Sequence, residues 1–307
     1  MFRCFCKISM IMGYYINDVV SFSNKGFEKI DFDFLESPVN INIADVSSKH
    51  LQGKGLRFVP RTVKILNNVV GEILEKNELN SQKDGIGIYN TNDICALEAS
   101  IDFDREVEAF GVKLANPMKI PYTLNGATAG WIAIKNQLNN VNLTVNSGRC
   151  GILSALNLAG LDFMDMEIHH AIILGAHFTG ETYKKYNRHS VFNKEVAVGL
   201  LASKKKTKTT LIEILECRTM SYDKKTLEMI VKDHNRINLI DADFYINLPN
   251  HGHCHFIQST SAQLSCLPFF INNMNAFINC ETGRVCKYII VDKKGFMGYV
   301  QFRIPKP

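Results

Sequence analysis

The densest run of chemically able side chains is His251-Gly252-His253-Cys254-His255, three imidazoles and a thiol within five residues. Imidazole nitrogens and thiolate sulfurs are zinc ligands, and four of them close a tetrahedral site. The spacing argues against one here. Neighbouring residues of an extended segment point to opposite faces, and no second Cys/His group at zinc spacing completes the set. No metal is expected. Asn125-Gly126-Ala127-Thr128-Ala129-Gly130 has glycines but lacks the spacing and the lysine of a phosphate-binding loop. No Gly-x-Ser-x-Gly nucleophile elbow occurs. No cofactor is expected either.

Around these residues the chain alternates between strand-like and helix-like runs. Gly13 to Phe22 reads as a first strand. Arg61 to Asn77 places Val63, Ile65, Leu66, Val69, Val70, Ile73 and Leu74 on one helical face. Gly85 to Tyr89 reads as a short buried strand after a turn at Lys83-Asp84-Gly85. Asn142 to Asn146 is another strand, followed by a small-residue turn and an apolar helix from Leu153 to Leu161. His170 to Leu174 is a strand ending at Gly175. Ala197 to Ser203 and Thr209 to Cys217 read as two strands around a solvated lysine turn, residues 204–208. Such alternation predicts an α/β fold, with a mixed or parallel sheet covered on both faces.

Composition narrows the class of function. The 307 residues are 46% hydrophobic and 21% charged, enough apolar material for a sizeable core. A net charge of +5 is far from the basic stripe of a nucleic-acid binder. No run of eighteen apolar residues suggests a membrane span. Nine cysteines, odd in number and scattered, fit a reducing cytoplasm better than a disulfide framework. Residues 1–12 read as a ragged leader, with Met1, Met10 and Met12 as possible starts, and 13–307 as one domain. The sequon Asn142-Leu143-Thr144 is noise in that compartment.

The middle of the chain, read as a unit, resembles a known family. From Pro121 to Gly175 the order is Pro-x-x-x-Asn, a small-residue segment ending Gly130-Trp131, a helix, Asn142-Leu143-Thr144-Val145-Asn146-Ser147-Gly148-Arg149, a second helix and the strand His170-Ala171-Ile172-Ile173-Leu174-Gly175. This looks like the N-terminal half of a β-ketoacyl synthase. Lys194 to Leu201 and Leu211 to Leu215 resemble the hairpin region that closes that half. Asp243 to Leu248 resembles the strand before the family's first catalytic histidine, whose place is taken by Pro249, with His251 two residues on. His255-Phe256-Ile257-Gln258 resembles the segment carrying the second histidine, with His255 in place. Gly295-Phe296-Met297-Gly298 resembles the C-terminal turn whose Phe gates the acyl pocket.

The resemblance implies an α/β thiolase-like αβαβα layered fold, shortened relative to ketosynthases, with pseudo-halves of about 13–220 and 221–307. In the family a nucleophilic cysteine opens the second helix, where the helix terminus lowers its pKa and backbone N–H groups help hold an oxyanion. Laid without gaps, that cysteine falls on Arg149; shifted by one, on Gly148. Neither forms a thioester, and Cys150 is out of register by about 100° of helix.

By resemblance the chain is therefore a chain-length factor of a type II polyketide synthase making an aromatic or polyene product. Such a subunit is catalytically silent and cytoplasmic. Its implied partners are an active ketosynthase, in a heterodimer or heterotetramer, and, through the complex, a phosphopantetheinylated acyl carrier protein. Leu143, Thr144 and Val145 are then interface residues. Phe110, Leu114, Met118 and Tyr122, within 107–123, are tunnel candidates, with Phe296 at the pocket. Two alternatives are an acyltransferase or hydrolase using His255, Cys150 or Cys254, and a solitary acyl-chain-binding scaffold.

Overall fold

The computed structural model describes residues 13–28, 42–43, 46, 49–52, 56–91, 96–165, 168–178, 194–232, 237–242, 254–258, 267–268, 270–271, 273, 283–292 and 295–305. Eleven strands form one sheet. They are β1 (Tyr14–Ser23), β2 (Gly26–Glu28), β3 (Ile86–Asn90), β4 (Asn142–Thr144), β5 (His170–His177), β6 (Val196–Ser203), β7 (Ile212–Ser221), β8 (Ile237–Ala242), β9 (Cys254–Gln258), β10 (Val285–Asp292) and β11 (Phe296–Arg303). The bounded helices among the described residues are α1 (Arg61–Lys76), α2 (Leu97–Phe110), α3 (Gly126–Lys135), α4 (Gly151–Asp165) and α5 (Lys224–Val231).

The strand order is β4-β3-β5-β6-β1-β7-β11-β10-β8-β9, with β2 paired to β1. It contains a repeat. Read inward from each end, β4-β3-β5-β6-β1 matches β9-β8-β10-β11-β7 strand for strand. Directions match too: β3 is parallel to β4 and β5, as β8 is to β9 and β10, while β5–β6, β6–β1, β10–β11 and β11–β7 are all antiparallel. The two halves join where Tyr14, Tyr15 and Ile16 pair with Ile214, Glu213 and Ile212. The seam of this repeat lies between β6 and β7, at residues 204–211.

The layers follow from side-chain alternation. On β6, Val196, Val198 and Leu200 face one core while Ala197 and Leu201 face another; on β5, Ala171 and Ile173 oppose Ile172 and Leu174. The outer core of the first half is closed by α1 and α3. That of the second half is closed by α5, through Leu227 and Val231. Between the halves lies the largest core, where α4 supplies Ile152, Leu153, Ala155, Leu156, Ala159 and Phe163 against strands of both halves. The layers are helix, first half of the sheet, helix, second half of the sheet, helix.

Most expected elements are present, with shifted ends: β5 runs on through Gly175 to His177, and α4 starts at Gly151. One expectation is corrected. The strands on either side of the lysine turn are not a hairpin, because β1 pairs with both and lies between them. Adjacent strands in sequence signal a turn, but the apolar β1 competes for both edges. The expected strand 243–248 lies outside the described residues, as do Pro249, His251 and His253; β8 ends just before it. No helix among the described residues is long and apolar enough to cross a membrane.

Candidate functional site: a buried turn and an exposed apolar face

The turn at the head of α4 is built by β4 and its continuation. Val145 N–H donates to the Asn90 carbonyl at 2.8 Å, carrying the chain alongside β3. Gly148 has φ +52°, which an L side chain adopts only with strain. Gly148–Cys150 is a 3-10 turn, closed by Cys150 N–H donating to the Ser147 carbonyl at 3.1 Å, and it runs directly into α4. The turn lies against β10 and β11 of the second half. Arg149 is 4% exposed and Cys150 2% exposed.

Arg149 carries no nucleophile. Cys150 belongs to the central core, where a thiol outside any disulfide packs as a small hydrophobe. A second thiol there, Cys217, donates to the Leu153 carbonyl at 3.2 Å. Burial first, then the charges of Glu216 and Cys150, push the Cys217 thiol far above its ordinary range, so it stays protonated and unreactive. Tyr89 closes the same core by donating to Asp162 Oδ2 at 2.5 Å, and burial raises its phenol well above the usual value.

His255 is the second residue of β9, opposite Leu239 of β8, at the far end of the sheet from β4. Cys254 begins the same strand. Phe296 opens β11 beyond the hairpin turn at Gly295 and is 56% exposed. Arg149 thus stands at the head of α4, Phe296 at the start of β11 and His255 on β9.

The interface and tunnel candidates do share a surface. β4 ends the sheet, and its outer side carries no strand among the described residues. Leu143 is 38% exposed. α3 packs against β4 and against the 3-10 helix Pro117–Thr123, which in turn packs against α2. α2 buries none of its residues. On this connected set Phe110, Leu114 and Met118 are 65%, 74% and 60% exposed. Tyr122 differs, tucking against the outer core. Of the expected interface residues, Val145 is 8% exposed, with its side chain in the central core.

Sequence reading missed Leu124, Ile120 and Ile134, all exposed on the same elements. The available signal was an apolar Ile134 at the polar end of α3, beside Lys135 and Asn136.

No family model matches the sequence, and no curated protein does. Solved structures do. The ishigamide ketosynthase/chain length factor superposes with a TM-score of 0.67 at 14% identity, over 96% of this chain and 100% of that one. The chain has the ketosynthase fold. A type II polyketide synthase acyl-carrier protein in complex with its ketosynthase bound to the hexaketide gives 0.68 at 12% identity, over 96% and 100%. A ketosynthase in complex with its chain length factor from Xenorhabdus doucetiae gives 0.54 at 10%, over 95% and 99%.

Proposed function

We propose that this chain is a non-catalytic, chain-length-factor-type subunit that pairs with an active ketosynthase in a type II polyketide synthase. The observation that carries the reading is the combination of a buried Arg149 ahead of α4 with an exposed apolar face around β4. Condensation needs a thiolate to hold the growing chain, and donors to stabilise the enolate of the extender. Arg149 supplies no thiolate, and Cys150 is buried among apolar side chains. The apolar face fits a large interface with a partner of the same fold. In that complex β4 extends the partner's sheet, and the surface of α2 and the following 3-10 helix adjoins the product tunnel. The acyl carrier protein is served through the complex, in the cytoplasm. That several structural neighbours are ketosynthase and chain length factor complexes supports the reading.

The test is co-expression with a cysteine-bearing ketosynthase, preferably one encoded beside this chain, followed by co-purification. Intact mass after incubation with acyl-loaded carrier protein should show the acyl group on the partner alone. A stable monomer at micromolar concentration, or a stoichiometric adduct on Cys150, overturns the proposal.

A further inference from the structure

The outward side of α1 carries a cluster that belongs to neither the buried turn nor the apolar face. Glu72 and Glu75 stand three residues apart on α1, which puts both carboxylates on one face. The 3-10 turn Lys49–Leu51 packs against this helix and lays the His50 ring over Gly71. A Cβ at position 71 would come 2.4–2.6 Å from His50 atoms, so the imidazole settles this low only over glycine. Asn67 Nδ2 donates to the His50 carbonyl at 3.1 Å, and the Phe27 ring meets the imidazole edge-on at 6.2 Å. The His50 side chain is 11% exposed and held from three sides.

Its Nε2 atom looks at both carboxylates, 3.2 Å from Glu72 Oε2 and 3.8 Å from Glu75 Oε2. One donor atom from each of the three residues lies within 4.8 Å of the others. Bonds of about 2.0–2.2 Å from zinc to nitrogen and oxygen place tetrahedral ligand atoms about 3.3–3.6 Å apart. The separations from Nε2 bracket that edge, so a cation fits with small side-chain adjustments.

We propose that His50, Glu72 and Glu75 form a binding site for a zinc-class divalent cation, with water completing the tetrahedron. One imidazole with two carboxylates suits zinc and its neighbours better than magnesium or calcium, which prefer all-oxygen sites. The internal competitor is Lys49. Its ammonium lies 2.8 Å from Glu75 Oε1 and 3.5 Å from Glu72 Oε2, and its side chain is 53% exposed. Metal entry displaces this ammonium to solvent. The site is structural: it clasps the turn at His50 to α1, where Asn68 Nδ2 already holds the Val46 carbonyl at 3.1 Å.

The test uses the full chain, with its partner subunit if the two are purified together, stripped with a chelator. Zinc is titrated by calorimetry, and cobalt(II) by its visible ligand-field bands. Wild type should take up one zinc per chain and give a tetrahedral cobalt spectrum. Loss of even an outer partner of a metal ligand costs about 10–100-fold in affinity, so His50→Ala and Glu75→Gln should each weaken binding by at least about ten-fold. Lys49→Ala should tighten it, because the competing cation is gone. Glu75 is 57% exposed, so its variant carries the test if His50→Ala does not fold. Zinc uptake equal in wild type and the ligand variants overturns the proposal. So does an absence of uptake in both wild type and Lys49→Ala, which would leave Lys49 as the cluster's permanent cation.

Discussion

Glu195 and Arg61 form an ion pair at the start of β6, with the Glu195 side chain 1% exposed and that of Arg61 32% exposed. The same carboxylate accepts the Ile43 N–H at 2.8 Å, while the guanidinium donates to the Ile43 carbonyl at 2.7 Å. One ion pair thus ties the first turn of α1, the segment at Ile43 and the sixth strand. Removing one member of a buried pair costs about 3–5 kcal/mol, since the other charge stays in the interior. Arg61→Met should fall near the lower end, about 3 kcal/mol, because water reaches part of the guanidinium. Urea unfolding of the purified protein measures it; a loss below about 1 kcal/mol would show that the pair is held as weakly as a surface one.

Leu143 and Val145 lie two residues apart but should respond differently to a charge. Leu143→Asp places a carboxylate on an exposed edge strand and should abolish pairing with a ketosynthase while leaving circular dichroism unchanged. Val145→Asp puts an unpaired charge into the central core and should prevent folding altogether. Size-exclusion chromatography of the co-expressed pair separates the outcomes. Intact pairing in folded Leu143→Asp would place the interface elsewhere.

Phe110, Leu114 and Met118 are surface residues in the isolated chain, so truncating them should not carry the 2–5 kcal/mol typical of core deletions, but less than about 1 kcal/mol. Against an apolar tunnel in the complex, Phe110→Ala or Met118→Ala should lengthen the product by whole two-carbon units, because an intruding side chain sets a steric limit. Product mass from the reconstituted synthase is the measurement. An unchanged product in assembled complexes of all three variants moves the length limit to another part of the interface.

His170 opens β5, and its Nδ1 lies 2.8 Å from Ser203 Oγ on β6. Burial lowers its pKa from the ordinary 6.5, with Asp84 opposing the shift and His169 adding to it. The folded state therefore holds the neutral ring, and the unfolded chain takes up the proton first as pH falls. The contribution is complete above about pH 6.5 and declines as pH drops below it toward the folded pKa. His170→Gln should flatten the stability profile between pH 7 and pH 5. A profile of unchanged slope would mean that other groups dominate the acid limb.

The sequence by itself determined the strands and helices of the first half, because their burial is written in local periodicity. β3 and β5 are short apolar runs because the sheet is covered on both faces there, and α1 shows one apolar stripe because it covers a single face. The order of the motifs around Pro121–Gly175 was enough to anticipate the ketosynthase fold and the lack of a cysteine at Gly148 or Arg149. Periodicity states how much of a segment is buried but not against what. Only the tertiary structure put β1 between β6 and β7, and it set out which strand of one half corresponds to which strand of the other. It alone separated Leu143 at the edge from Val145 in the core, and left Phe110, Leu114 and Met118 outside. His50 meets Glu72 and Glu75 across more than twenty residues of chain, through a gap opened by a missing Cβ. Such contacts depend on how elements pack together, and packing is a property of pairs of distant segments that no single segment encodes.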